Sequence, residues 1–290
     1  MANRSQPISV DGAVVVISGA ARGIGKSTAE LFAAKGATVW IGDVDADVAA
    51  QTAAQIPGAR SAYLDVTSPE SWHAFVSAVN EGSGRIDVLV NNAGVMPLGA
   101  FEQMSWATVD LILDVNVRGV LAGMRAVLPD MLARGRGHIV NVASLAGVVP
   151  IPGMTTYNAS KFGAVGASLA ARAEYRGSGV TISAVLPSAV NTELASGADM
   201  PGGSLLKVQP EDVAEAIVGT LRTRRARTSV PGWLLFPASL LTLLPEPLVN
   251  FGRRVINDRR ALNTDPVGRR AYQDRLDRQA SKHAANIGEL

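Results

Sequence analysis

The chain has 290 residues, is 47% hydrophobic and 18% charged, and carries a formal net charge of +2. That is enough for one large domain with a filled core, and it excludes a disordered chain and a strongly basic nucleic-acid binder. The absence of cysteine excludes disulfides, thiol catalysis and cysteine-ligated zinc, and His73, His138 and His283 lie too far apart in sequence to suggest a metal site.

In chain order, the N-terminal "MANRSQPISVDG" lacks the apolar segment of a secretory signal. No run reaches the ~18 apolar residues of a spanning helix, so the cytoplasm is the expected compartment. Strand-like runs then alternate with helical patterns. "AVVVIS" (13–18) precedes a helix to about Lys35, and "ATVWIG" (37–42) precedes one near 45–55. "RSAYL" (60–64), a helix over 69–81, "IDVLV" (86–90) and a long helix over 106–134 follow. "GHIVNVAS" (137–144), a helix over 156–176, "VTISAVL" (180–186), a helix over 210–222 and "TSVPG" (228–232) complete the alternation. Continuous Val/Ile-rich runs separated by helices predict a parallel sheet covered on both faces. The expected fold is a seven-stranded, doubly wound, Rossmann-type α/β domain over 1–232, with a helical extension over 233–290. The turn-rich 193–210 stretch reads as a mobile loop.

"SGAARGIG" (18–25) follows the first strand and opens the first helix. Gly19, Gly23 and Gly25 permit a sharp turn and close backbone approach, and a helix N-terminus offers free N–H groups to a pyrophosphate. That strand–turn–helix context makes the stretch a nucleotide cradle. Asp43 ends the second strand about 20 residues on, where a carboxylate bonds ribose hydroxyls and repels a 2′-phosphate, so NAD is favoured over NADP. Arg22, a base in the same loop, is the counter-signal.

The ordered motifs resemble the short-chain dehydrogenase/reductase family. The 18–25 stretch is similar to its TGxxxGIG motif, with Ser18 for threonine. "NNAG" (91–94), Asn116 in "DVNV", Ser144 in "VNVAS", and Tyr157 and Lys161 as YxxxK occur in the family's order. "LPSAVNTEL" (186–194) is similar to its PGxVxT element, with Ser188 for the usual glycine. The resemblance spans about 8–232. It implies an NAD(P)-dependent oxidoreductase acting on CH–OH groups, assembled as a homodimer or homotetramer. It places Gly19, Arg22, Gly23, Ile24 and Gly25 under the dinucleotide and Asp65 and Val66 beside adenine. It also puts Asn91, Ala93 and Gly94 along the nucleotide, and Pro187, Val190 and Thr192 at the nicotinamide. Tyr157 and Lys161 are implied to contact cofactor as well as substrate.

Tyr157 and Lys161 are four apart, so on a helix they share a face. A tyrosine near pH 10 needs a shift of about three pH units, roughly 4 kcal/mol, to exchange protons near neutrality. A unit charge about 4 Å away supplies on the order of 4 kcal/mol at an effective dielectric of 20, so the lysine is expected to provide most of it. The resemblance implies that Tyr157 is the general acid/base, Ser144 holds the substrate oxygen, Lys161 also bonds the nicotinamide ribose, and Asn116 holds a relay water.

"WLLFPASLLTLLPEPLVNF" (233–251) is apolar but broken by prolines, and twelve residues of helix rise only ~18 Å against a ~30 Å hydrocarbon core. It is expected to cover the active-site mouth, form a subunit interface, or rest on a membrane surface. "RTRRAR" (222–227) and the Arg pairs at 253–254, 259–260 and 269–270 suit the last of these. An apolar cover suggests an apolar alcohol or ketone such as a sterol, terpenoid or lipid. The alternatives are an NADPH-dependent 3-oxoacyl-thioester reductase and a catalytically silent nucleotide-binding regulator.

Overall fold

A computed structural model describes residues 6–195, 207–241, 244–249 and 265–288. Most of the 193–210 stretch and the Arg pairs at 253–254 and 259–260 lie outside the described residues.

Strands β1 (Val14–Ser18), β2 (Thr38–Asp43), β3 (Arg60–Tyr63), β4 (Val88–Asn91), β5 (Gly137–Val142) and β6 (Val180–Pro187) join β9 (Arg227–Val230) in one sheet. All pairs are parallel, in the order β3-β2-β1-β4-β5-β6-β9. A short parallel pair, β7 (Ala189–Val190) and β8 (Lys207–Val208), stands apart. Alternation along each strand builds two cores, because successive side chains point to opposite faces. Val15 and Ile17 pack with Val39, Ile41 and Phe32 beneath helices α1 (Gly23–Ala34), α2 (Ala46–Ala54) and α7 (Pro210–Thr223). Val14 and Val16 pack with Leu89, Trp72, Phe75 and Met131 beneath α3 (Pro69–Ser83) and α5 (Gly119–Ala133). Both faces are therefore dry, which is why the strands read as unbroken apolar runs.

The predicted long helix of 106–134 is interrupted. It runs as α4 (Trp106–Leu113), a π turn (Asp114–Arg118) and then α5. Helix α6 (Thr155–Glu174) follows β5, and α8 (Leu235–Leu241) and α9 (Pro266–Gly288) belong to the extension. In the sheet order the chain moves outward from β1 through β2 to β3 and then returns to β4 on the other side of β1. The carboxyl ends of β1 and β4 thus flank the topological switch point, where open α/β sheets bind ligands.

"RTRRAR" lies away from the cavity. It joins the end of α7 to the start of β9, at the amino ends of the strands and so at the opposite end of the sheet from the switch point. Arg224 within it is buried and donates to the Gln6 carbonyl and to Thr181 Oγ1, both at 2.7 Å. Next to it His138 is wholly buried between Thr181 Oγ1 (2.8 Å) and Thr220 Oγ1 (3.0 Å). Burial, followed by the Arg224 charge, pushes its imidazole well below the usual range. The ring is neutral in the fold but takes a proton in the unfolded chain below pH ~6.5, so stability must fall as pH drops through that value. Denaturation at pH 7, 6 and 5 is expected to show a loss from this residue that steepens toward about 1.4 kcal/mol per pH unit below pH ~6, and His138→Gln is expected to flatten that slope.

Candidate active site

Ser18 and Asn92 draw the ends of β1 and β4 together. Ser18 Oγ accepts the N–H groups of Asn92 (3.1 Å) and Ala93 (3.2 Å), and Asn92 Nδ2 donates to the carbonyls of Ser18 (3.1 Å) and Gly19 (2.7 Å). The glycine turn is held by this clamp. Gly19 has φ +64°, and a β-carbon there would stand 2.6 Å from Ala93 Cα. Gly23, at φ +55°, starts α1. No side chain caps that first turn, whereas Asp45, Ser68 and Ser105 cap α2, α3 and α4. The N–H groups at the start of α1 therefore face the cleft without a side-chain acceptor, as a phosphate site requires.

The cleft is the inner part of a cavity of about 1260 Å³. Small-ligand pockets are usually ~300–1,000 Å³, so this one has room for a dinucleotide and a substrate together. Gly19, Arg22, Gly23, Ile24, Asp43, Asp65 and Val66 lie on its wall. So do Ala93, Gly94, Ser144, Tyr157, Lys161, Pro187, Val190 and Thr192. Three residues singled out from the sequence do not. Gly25 lies under the turn, where a β-carbon would stand 2.6 Å from Asn92 Nδ2. Asn91 is buried and donates to the Val120 carbonyl and Asn141 Oδ1, while its neighbour Asn92 lines the cavity. Asn116 is wholly buried; its Oδ1 accepts from Val95 N–H (2.9 Å), and its Nδ2 donates to the Val95 carbonyl (2.9 Å) and Ser160 Oγ (3.0 Å). It fastens the strand β4 loop to α6, and its carboxamide stands behind Gly94.

Two carboxylates stand at the end of β2. Asp43 accepts the N–H groups of Ala21 and Asp45, both at 3.0 Å. Arg22 donates to Asp45 at 2.9 Å. That bond holds the Asp45 carboxyl below its ordinary range, and it takes up the cation that argued for a 2′-phosphate.

Ser144 follows β5, and Tyr157 lies in the first turn of α6. The Ser144 hydroxyl lies near enough to the phenol to favour its ionised form. Lys161 lies one turn on, its Nζ 5.6 Å from the Tyr157 ring centre and 3.1 Å from the Val142 carbonyl, to which it donates. The electrostatics differ from the expectation. Burial pushes the Tyr157 phenol upward, against the opposing effect of the Ser144 hydroxyl, and the nearby Tyr272 adds to the rise. Burial pushes Lys161 down to about 8. Desolvation disfavours both charged forms, and in the protein alone it outweighs the attraction between them.

Three residues went unmarked in the sequence. Asn158 Nδ2 donates to the carbonyls of Ala146 (2.7 Å) and Val149 (2.9 Å), and its Oδ1 accepts from Ile151 N–H (3.0 Å), fixing the loop beside Ser144. Asn92 is the second asparagine of "NNAG", and nothing in its spacing separated it from the first. Tyr272 comes from α9; its Oη accepts from Met96 N–H at 2.8 Å inside the cavity. Described residues of the extension line the cavity. Leu235 and Ala238 pack with Val148, while Trp233, Leu241 and Leu248 line the rim. No helix among the described residues is long and apolar enough to cross a membrane.

A family model described as short chain dehydrogenase matches residues 13–200. The chain is 40% identical over 222 residues to a D-threitol dehydrogenase of Mycolicibacterium smegmatis, covering 72% of this chain and 85% of the relative. It is 34% identical over 209 residues to a 3-alpha-(or 20-beta)-hydroxysteroid dehydrogenase of Mycobacterium bovis, covering 72% and 76%. A 3-ketoacyl-(acyl-carrier-protein) reductase from Brucella melitensis, solved with NADH, superposes with a TM-score of 0.69 at 31% identity, over 77% of this chain and 98% of that one.

Proposed function

The chain belongs to the short-chain dehydrogenase/reductase family and is an oxidoreductase acting on CH–OH groups; on that premise we propose that it moves a hydride between NAD(H) and a hydrophobic secondary alcohol or ketone. A bound nicotinamide supplies the hydride acceptor in oxidation and the donor in reduction. In oxidation Tyr157 Oη removes the hydroxyl proton of the substrate as the carbinol hydrogen leaves with its electron pair. In reduction the same phenol protonates the forming alkoxide. Ser144 Oγ donates to the substrate oxygen and stabilises its developing charge. Lys161 holds the nicotinamide ribose and carries the charge that favours tyrosinate. Asn116 keeps the Val95 loop and α6 in register behind them.

The observation that carries this reading is the side-chain pair Ser144–Tyr157 on the wall of a mostly apolar cavity. Met96, Met154 and Ile151 pack around Tyr157, and the apolar rim of the extension continues that lining. The named relatives differ in substrate, so the lining and not the relatives supports a hydrophobic one. NAD is supported by Asp43 and by Asp45, whose partner is the only base of the glycine turn.

A panel of alcohols and ketones, assayed with NAD⁺/NADH and NADP⁺/NADPH in parallel, tests both parts. Turnover is expected with NAD(H), and kcat/KM is expected to rise at least tenfold from short polar alcohols to bulky apolar ones. A preference for NADPH with 3-oxoacyl thioesters would favour reductive thioester chemistry instead. No turnover across the panel would leave a nucleotide-binding regulator.

A further inference from the structure

Helix α9 follows the nucleotide cleft from end to end. Its Tyr272 meets Met96 at the reactive end. One turn on, Arg275 donates to Glu193 at 2.8 Å. Glu193 follows Thr192, whose methyl would stand 3.3 Å from a β-carbon built on Gly23, so Arg275 lies above the glycine turn. Its charge reaches Asp45, whose carboxyl is lowered first by the Arg22 bond and to a smaller extent by Arg275. Two turns further, His283 Nε2 and Asp114 Oδ2 are 2.8 Å apart. That contact lies at the Val66 end of the cavity, because a β-carbon on Gly119 would touch Val66 at 2.9 Å and the Asp114 carbonyl at 3.4 Å. From Tyr272 to His283 the helix rises ~16 Å. Leu276 and Ala280 hold it against Leu111 and Ile112 of α4.

Arg275, Arg278 and Lys282 recur at helical spacing, share a face and line the cavity. Arg275 is paired with Glu193. Arg278 and Lys282 are exposed, and among the described residues neither has an ion-pair or hydrogen-bond partner. Two cations without an ion-pair partner among the described residues thus line the same cavity as the uncapped start of α1. Repulsion across an empty cleft costs little in water, but an anion between the two walls gains from both.

We propose that α9 is a strap over the bound dinucleotide, and that Arg278 and Lys282, with Arg275, form the second wall of its phosphate site. The proposal rests on the reading that the cleft takes a nicotinamide dinucleotide. It also gives the extension a role in holding cofactor, beyond lining the cavity for substrate.

The test is equilibrium binding to the full chain without substrate. Arg278→Ala/Lys282→Ala alters two exposed side chains, and an unchanged melting temperature verifies the fold. By NADH fluorescence titration its Kd is expected to rise about tenfold over the parent, with a weaker dependence on salt. ADP, which keeps the pyrophosphate, is expected to lose affinity in parallel, whereas adenosine is not. Arg278→Glu/Lys282→Glu is expected to weaken NADH further. Variants that bind NADH and ADP within twofold of the parent overturn the proposal, as does an equal loss for ADP and adenosine. Failure of the NAD reading looks different: the parent itself would bind NADPH more tightly than NADH, and the strap would then be read with NADPH.

Discussion

Tyr157→Phe is expected to lower kcat by about 10²–10⁴-fold while the Kd for NADH stays within twofold of the parent. The change is small in volume and large in chemistry. The Tyr157 ring is buried among Met96, Ala146 and Met154, and phenylalanine keeps those contacts. What is lost is the hydroxyl beside Ser144. Because the phenol is pushed upward by burial in the protein alone, it is a poor base until further positive charge reaches the site. In the proposed oxidation an oxidised nicotinamide would bring that charge, so proton removal is expected only in the loaded enzyme. The variant separates binding from chemistry: a fluorescence titration reports the first and a single-turnover rate the second. A variant that binds NADH normally and still turns over at a tenth of the parental rate or better removes Tyr157 from the acid/base role.

The sheet was legible because each central strand is dry on both faces. A run such as Val14 to Ile17 then has no polar residue to interrupt it, and the glycine turn that follows marks the strand's end. The π turn at Asp114–Arg118 was not legible, since inserting one residue per turn barely alters the apolar spacing on either side. The placement of α9 was hidden for another reason. Among the described residues its buried apolar stripe is Tyr272, Leu276 and Ala280, one residue per turn, and the helix it rests on lies some 160 positions earlier in the chain. Thin stripes on charged helices look solvated until the partner is known. "RTRRAR" is not wholly a surface run: Arg224 is buried and donates to a carbonyl and a hydroxyl, while Arg222 and Arg225 are exposed. The four-residue spacing sets Lys161 Nζ 5.6 Å from the Tyr157 ring centre, but attraction at about 4 Å is only part of the balance, because burial desolvates both groups.

The same desolvation makes Lys161→Met a stabilising substitution at neutral pH. Lys161 is 5% exposed, and burial brings it down to about 8 from the usual 10.5. Below pH 8 the fold must hold it charged, and the gap of 2.5 pH units corresponds to about 3 kcal/mol of destabilisation. Methionine removes that cost but leaves the Val142 carbonyl without the lysine donor, which returns about 1 kcal/mol. The net expectation at pH 7 is about 2 kcal/mol more stable and a melting temperature about 5 °C higher, with turnover lost. The sign reverses at high pH. Between pH 8 and 10.5 the unfolded chain binds a proton that the folded chain does not, so the parent gains stability with rising pH and the variant gains nothing from this position. Above pH 10.5 the parent is therefore the more stable of the two, by about 1 kcal/mol. Urea denaturation of parent and variant at pH 7 and at pH 10.5 measures both differences. A variant less stable than the parent at pH 7 would mean that the lysine is held by favourable contacts, not against its own solvation. The site would then not be trading stability for the charge that the proposed chemistry needs.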